Sequence, residues 1–288
     1  MNVNQLNPNL YQDDLGIWRS ERSTSAISYP EDGNLNCFQI EDDSFWFQHR
    51  NECISTIVRR FPPTGILLDV GGGNGFVTRR LLDDGVEAIL LEPGATGAFN
   101  AKTYRQIPNV ICSTLEDAHF PAKSVSAVGF FDVLEHIPDD DRFIQLIHTI
   151  LTDHGLIYGT VPAYSWLWSF SDVRAGHFRR YTFKTLQKCL LDRFEMVFFT
   201  YFFQPLIVPI FLLRTLPFRL RLFRNNRLLS STSEHGTSGG VDSKLIRRLL
   251  RPELAKIKQG KTIPTGTSCL FVARKNECPH EKKRFFYS

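Results

Sequence analysis

The chain has 288 residues, 42% of them hydrophobic, enough for one α/β domain with additions and a sizeable core. Its six cysteines, at 37, 53, 112, 189, 269 and 278, include no C-x-x-C pair and no His/Cys cluster, so they signal neither a zinc site nor a disulfide framework and suit a reducing cytoplasm. The net charge of +4 hides an asymmetry, because residues 214–288 hold 17 Lys and Arg against 5 Asp and Glu and the rest of the chain is acidic.

Residues 1–43 are polar, rich in Asn, Asp, Ser and Glu, and carry no sustained period, which reads as a loosely docked arm. The opening M-N-V-N-Q-L has no basic region followed by an apolar core, so it does not read as a secretory signal and the expected location is cytoplasmic. The first helix is expected over 44–61, where Phe47, Ile54, Ile57, Val58 and Phe61 share one face and Pro62-Pro63 stops it. Trp46 and Arg50 stand at its start and are candidates to roof a pocket and meet a substrate, although aromatic residues at helical spacing are more often core.

Residues 66–69, I-L-L-D, form an apolar run ending in a carboxylate, the pattern of a strand buried on both faces. A glycine-dense turn follows, then a helical spacing from Phe76 to Leu82, with Gly85 where the helix stops. Gly71, Gly73 and Gly75 let the backbone turn sharply and approach a ligand with no Cβ in the way. A dinucleotide fingerprint beginning at Gly71 needs a glycine at 76, where Phe76 stands, and the loop lacks the Gly-Lys-Ser/Thr of a phosphate-binding loop. The remaining pattern, D-x-G-x-G-x-G from Asp69 to Gly75, resembles the first motif of the class I S-adenosylmethionine-dependent methyltransferases. That resemblance implies S-adenosyl-L-methionine as cofactor and S-adenosyl-L-homocysteine as product, with Asp69, Gly71, Gly73 and Gly75 at the amino-acid end of the cofactor. It also implies a doubly wound, seven-stranded α/β sheet with an antiparallel last strand.

Residues 88–91 form a second strand closed by Glu92, and a carboxylate at such a strand end can accept hydrogen bonds from both ribose hydroxyls of a nucleoside. The resembled family uses the position in the same way. Residues 110–112 read as the third strand, and the resemblance puts Thr114 and Leu115 of the next loop beside the adenine, with Thr114 standing where the family often has Asp. The fourth strand, 125–131, runs into D-V-L-E-H-I-P-D-D-D, and D-V-L-E-H is similar to the group that includes the quinone-pathway O-methyltransferases. By that resemblance Phe131 and Asp132 line the cofactor, and Glu135 and His136 lie between cofactor and substrate. His136 suits a general base, having an ordinary pKa near neutrality, and suits equally a loop-holding hydrogen bond, the role weighed more heavily. Asp139 to Asp141 read as acids favouring the positive end of the next helix, and no metal is expected.

The fifth strand, 156–161, ends in Pro162-Ala163-Tyr164. The loop that follows has too many aromatics and arginines for an ordinary connection and reads as a substrate lid, with Tyr164, Trp168, His177, Arg179, Arg180 and Tyr181 as its candidate residues. V-P-A-Y-x-W-L-W-S followed by G-H-x-R-R-Y-T resembles a bacterial branch of the same enzymes, in which the second segment leads into the helix before strand six. Here Thr182 can cap that helix, whose apolar face is Phe183, Leu186, Leu190 and Leu191. His177, the second catalytic candidate, then stands near the carboxyl ends of the strands, where open α/β sheets bind ligands. The arginines suit an acidic acceptor or, equally, pairing with Asp172 and the aspartates upstream.

Residues 194–203 and 267–274 read as strands six and seven, which the resembled family pairs antiparallel. Residues 204–266 separate them as a helical insertion. Its part 205–227 is apolar and then arginine-studded, and is too short and proline-broken for a spanning helix. It suits contact with the inner face of a membrane, or a helical hairpin covering the sheet. Residues 230–240 read as a flexible linker and 241–258 as a basic amphipathic helix, so 44–275 form one methyltransferase domain and 276–288 a tail.

The expected reaction is methyl transfer to an O or N of a small or amphiphilic acceptor, whether a natural product, a quinone- or lipid-linked metabolite or a peptide. Such chemistry asks the protein mainly to align nucleophile, methyl and sulfur and to exclude water. Two rivals stand beside it: a nicotinamide-dependent oxidoreductase, against which Phe76 argues, and a methyltransferase-like partner protein at a membrane or in a complex. Charge alone suits nucleic acid, but no base-reading motif supports it.

Overall fold

A computed structural model describes residues 3–21, 33–190, 192–221 and 241–276. Mostly apolar runs of three to twelve residues make the inner strands, and amphipathic segments between them pack on both faces. The N-terminal part contains α1 (Val3–Leu6), β1 (Leu10–Gln12), β2 (Trp18–Ser20), α2 (Gly33–Phe38) and α3 (Phe45–Arg60). The central alternation is β3 (Leu67–Val70), α4 (Phe76–Asp83), β4 (Ala88–Leu91), α5 (Ala95–Thr103), β5 (Val110–Cys112), α6 (Leu115–Ala118), β6 (Val125–Phe131), α7 (Asp140–Ile150) and β7 (Leu151–Pro162). Then come α8 (Phe170–Ala175), α9 (Phe183–Leu190), β8 (Phe194–Phe202), α10 (Ile207–Ile210), α11 (Leu216–Arg219), α12 (Val241–Lys258) and β9 (Ser268–Lys275).

The sheet runs β1-β2-β5-β4-β3-β6-β7-β9-β8. Strands β3 to β7 are parallel, and β9 lies antiparallel between β7 and β8. Strand order reverses on either side of β3, so the carboxyl ends of β3, β4 and β6 flank a crevice where a ligand can sit. Alternation along β3 separates two cores. Leu68 joins Ile89, Val128 and Ile157 with Ile144 and Ile147 of α7, while Leu67 joins Ala127, Tyr158 and Val272 with Ile54 and Ile57 of α3 and Leu81 of α4. Each such fully buried side chain contributes about 1.5–3 kcal/mol of transfer free energy.

Helix α3 starts where expected, because the Ser44 side chain accepts a hydrogen bond from the Trp46 amide, and Asp139 caps α7 by accepting from the Arg142 amide. Three expectations are corrected. The sheet has nine strands rather than seven, since β1 and β2 extend it beyond β5. The N-terminal arm is therefore docked over its described part, with Val3, Leu6, Leu10 and Trp18 in the core. Strand β7 also begins earlier than expected, at Leu151, where it pairs with Val125 before a register shift.

Between β8 and β9 the chain forms the expected helical insertion. Despite Pro209 and Pro217, residues 207–219 remain helical because a π-helical turn at Phe211–Thr215 separates α10 from α11. Helix α12 matches the expected bounds and packs against α3, with Leu250, Leu254 and Ile257 in the core on that side. The expected linker at 230–240, Leu191 and the tail beyond residue 276 lie outside the described residues. Among the described residues no helix is long and apolar enough to cross a membrane.

Candidate active site

At the end of β3 the chain turns through Gly71, Gly73 and Gly75, whose φ values are 69°, 55° and 81°. Two of these glycines have different reasons. A Cβ on Gly75 would lie 2.3 Å from Cδ1 of Ile107, so its absence lets α4 pack on α5 and the chain after it. A Cβ on Gly73 would meet only Oδ1 of Asn34, at 3.5 Å, so its open side faces the crevice. Beneath the loop Asp69 is 1% exposed and accepts a hydrogen bond from the Thr78 hydroxyl at 2.5 Å. Burial raises its carboxyl to about 7, although Thr78 and Arg50 oppose the shift.

Glu92 closes β4 with its carboxylate held in place. Oε2 accepts from the Gly73 amide at 2.8 Å, and Oε1 from the Gly94 amide at 2.8 Å and the Asn34 side-chain amide at 3.1 Å. Burial raises its pKa against the lowering effect of these donors. A carboxylate has about four acceptor sites, so Glu92 can still receive a hydroxyl, and a second can replace the Asn34 amide. That fits the ribose of an adenosyl ligand. Asn34 is part of a wider bracket, since its carbonyl accepts from Asn74 and Asn74 in turn accepts from Asn100.

Glu92 and Gly73 open into a cavity of about 930 Å³, whose lining also includes Asp69, Gly71, Thr114, Leu115, Phe131 and Asp132. The Thr114 hydroxyl caps α6 by exchanging hydrogen bonds with the amide and carboxylate of Asp117. Asp132 follows β6 with φ of 58°, paired with Nε of Arg50 at 2.5 Å and accepting from Thr160 at 3.0 Å. Arg50 also donates to the Phe131 carbonyl at 2.8 Å and lies over the Trp46 ring. It braces the end of β6, and Trp46 roofs the same cavity.

The other half of the cavity is built from the turn after β6 and the segment after α8. The Phe178 amide donates to the Glu135 carbonyl at 2.8 Å, which ties the two segments together. The rings of His136 and His177 meet edge to face with centroids 4.7 Å apart. Burial and then the nearby His177 lower the pKa of His136 to about 3, partly offset by the Ala175 carbonyl, so this imidazole is neutral at pH 7. Burial and then the Asp132 charge push the Glu135 carboxyl well up.

Asp172, fully buried, organises the segment 169–180, which the sequence reads as a lid. It receives Nδ1 of His177 at 2.9 Å, Nε of Arg180 at 2.7 Å and the Ser169 amide at 2.9 Å. Burial acts to raise its pKa, but the His177 and Arg180 hydrogen bonds dominate and bring it to about 2.

His136, His177, Trp46, Arg50 and Arg180 therefore come together around the cavity, whereas Tyr164, Trp168, Arg179 and Tyr181 stand outside its lining. Tyr164 stacks on Tyr201, Tyr181 is in the core with its hydroxyl on Asp140, and Arg179 pairs with Asp140 at 2.6 Å. These support the lid from behind, because the core claims their rings and Asp140 claims the guanidinium. Gly75 likewise sits behind the lining as the cap of α4. Sequence reasoning missed Asn34, Ile210 and Arg214, which line the cavity from segments with no motif.

A family model described as a methyltransferase domain matches residues 45–195. No curated protein matches the chain. Among solved structures, a methyltransferase in complex with the Trm112 activator of Haloferax volcanii aligns over 86% of this chain and 94% of its own at 14% identity, with a TM-score of 0.53. An S-adenosylmethionine-dependent methyltransferase of Thermotoga maritima aligns over 80% and 93% at 16% identity, with a TM-score of 0.51. Phosphoethanolamine N-methyltransferase 2 of Haemonchus contortus, in complex with S-adenosyl-L-methionine, aligns over 87% of this chain and 58% of its own at 17% identity, with a TM-score of 0.52. At these identities the likeness is one of fold.

Proposed function

The chain belongs to the class I S-adenosylmethionine-dependent methyltransferases, and from that premise we propose that it methylates an O or N nucleophile of a small or amphiphilic acceptor beside His136 and His177. The observation that carries the reading is that one cavity is lined both by Glu92 and the glycine loop and by the two histidines, Arg180 and, from the insertion, Ile210 and Arg214. When bound, the cofactor supplies a methyl group on a sulfonium, already strongly electrophilic. Glu92 would hold its ribose, Thr114 and Leu115 its adenine, and the turn through Gly71 and Gly73 its amino-acid end.

The protein's remaining work is alignment and the exclusion of water. Arg50 and Asp132 fix the end of β6, and the aromatic rings of Trp46, Phe47 and Phe76 cover the cofactor end. At the acceptor end His177 is oriented by Asp172, and the neutral His136 can accept a hydrogen bond from the acceptor. An amphiphilic acceptor is favoured because the insertion that borders the cavity carries Val208, Leu212 and Leu213 at 64%, 51% and 72% exposure, near Arg214 and Arg219. Such a surface suits the interface of an anionic membrane, from which the acceptor can enter. The test is incubation with cofactor carrying a labelled methyl group and a cell extract partitioned between organic and aqueous phases. Label recovered in organic-soluble small molecules is expected; label confined to protein or nucleic acid, or none transferred, overturns the reading.

A further inference from the structure

The carboxylate of Glu92 already receives three donors: the Gly73 amide, the Gly94 amide and the side-chain amide of Asn34. A carboxylate has about four acceptor sites, so one is vacant. The two neighbouring hydroxyls of a ribose need two. A ribose that engages Glu92 with both hydroxyls must therefore displace one resident donor. The Gly73 and Gly94 amides belong to the backbone of the turns after β3 and β4, whereas Asn34 is the one side-chain donor of the three and comes from α2.

The seat of Asn34 is built for it. The residue is 8% exposed and lines the cavity. A Cβ on Gly94 or on Gly97 would lie 2.6 Å from its Nδ2, so both positions are cleared for the carboxamide. Gly97 is buried inside α5, where glycine weakens a helix relative to alanine, and the close approach of Asn34 supplies the reason for it. On its other side Oδ1 of Asn34 lies 3.5 Å from where a Cβ on Gly73 would project. The carboxamide thus stands between the glycine loop and Glu92, where the ribose would lie. The segment that carries it is anchored at both ends. Near its start the Asn34 carbonyl accepts from Asn74 at 2.8 Å, and near its end Arg105 pairs with Glu41 at 2.8 Å and Asp42 at 2.7 Å and lies over the rings of Phe38 and Phe76.

We propose that Asn34 competes with the ribose for Glu92, its amide holding one acceptor site of the empty carboxylate, yielding to a hydroxyl when an adenosyl ligand binds and returning when the ligand leaves. A buried carboxylate left short of donors is costly, and the stand-in donor removes that cost from the empty site. Asn34 thereby sets two properties of the site: how tightly it holds an adenosyl ligand, and how strongly it prefers a ribose to a deoxyribose. Cofactor and product share the same ribose, so the returning amide tempers affinity for both and eases product release. The proposal rests on the reading that Glu92 receives the ribose.

The experiment is calorimetric titration of the full chain, wild type and Asn34→Ala, with S-adenosyl-L-homocysteine and with its 2′-deoxy and 3′-deoxy analogues, thermal melting establishing that the variant is folded. In wild type a deoxy analogue leaves Asn34 in place and its remaining hydroxyl takes the vacant site, so removal of one hydroxyl should weaken binding by less than about 10-fold. In Asn34→Ala nothing replaces the missing hydroxyl, and the same removal should cost about 10-fold more than it does in wild type, the worth of a hydrogen bond to a charged group. A residue that only docks α2 would change the affinity of all three ligands by one factor and leave their ratios alone. Ratios that are the same in both proteins, or smaller in Asn34→Ala, overturn the proposal while the adenosyl site stands. Failure of both proteins to bind any of the three ligands overturns the methyltransferase reading and this proposal with it.

Discussion

A methyl group added at Gly75 and one added at Gly73 meet different neighbours, and the two substitutions should separate folding from binding. Gly75→Ala drives a Cβ to 2.3 Å from Ile107, within a packed core, and should cost about 1–3 kcal/mol of stability. Gly73→Ala has room and bears mainly the left-handed backbone penalty of about 1–2 kcal/mol, but its Cβ projects into the cavity, where the proposed cofactor would lie. Urea denaturation together with cofactor titration should therefore find Gly75→Ala weakened mainly in stability and Gly73→Ala mainly in binding, by about 10-fold or more. Equal loss of binding in two equally stable variants would remove the distinction. Asp69 offers a second test at this scale. Its folded carboxyl titrates near 7 against an ordinary 3.8, so from about pH 4 to pH 7 the folded chain keeps a proton that the unfolded chain has lost. Stability is therefore greatest below pH 4 on this account and falls as pH rises through 7, by on the order of 4 kcal/mol. Denaturation midpoints of the ligand-free protein between pH 5 and 8 should show this slope in wild type and its loss in Asp69→Asn; a parallel slope in the variant would exclude Asp69 as its source.

Among the elements, α12 is held by its apolar face, by Arg247 on Gln48 and the Asp43 carbonyl, and by one buried carboxylate. Glu253 is 6% exposed, meets His49 of α3 at 2.7 Å, and accepts the Phe203 and Gln204 amides at 2.7 and 2.8 Å. Glu253→Ala leaves two inward-facing amides without their acceptor and should cost about 3–5 kcal/mol, read as a lowered melting temperature and faster hydrogen exchange at Phe203 and Gln204. Undiminished protection there would show that α12 is held without Glu253. The apolar runs at 66–69, 88–91 and 125–131 and the apolar face of 44–61 closed by Pro62-Pro63 made the central elements readable, because burial leaves local patterns. Strands β1 and β2 left none: L-Y-Q and W-R-S are three residues each, too short for a period, and they form strands only because β5 has a free edge. The glycine loop and Glu92 were legible for the same local reason. The lid was legible in composition but not in direction, since only tertiary packing decides that His177 and Arg180 turn toward the cavity while Tyr164 and Tyr181 turn into the core.

For the whole molecule, the parts most distant in sequence meet at one crevice. Asn34 from the N-terminal extension, the loop after β3, the turn after β6, the segment 169–180 and the insertion all border it, so additions on both sides of the central alternation of strand and helix act on one site. The acidic first three-quarters and basic last quarter fit that arrangement, with the basic insertion beside the cavity and the Asp and Glu side chains bracing its walls. On the proposed function this crevice takes an adenosyl ligand through the carboxylate of Glu92. The direct measurement is calorimetric titration of wild type and Glu92→Ala with S-adenosyl-L-methionine, S-adenosyl-L-homocysteine and NAD. The account predicts binding of both adenosyl ligands, no binding of NAD, and an affinity at least about 10-fold lower in Glu92→Ala, the loss of charge-assisted hydrogen bonds worth about 1.5–3 kcal/mol. NAD bound in place of the adenosyl ligands, or adenosyl binding untouched by a folded Glu92→Ala variant, would contradict it.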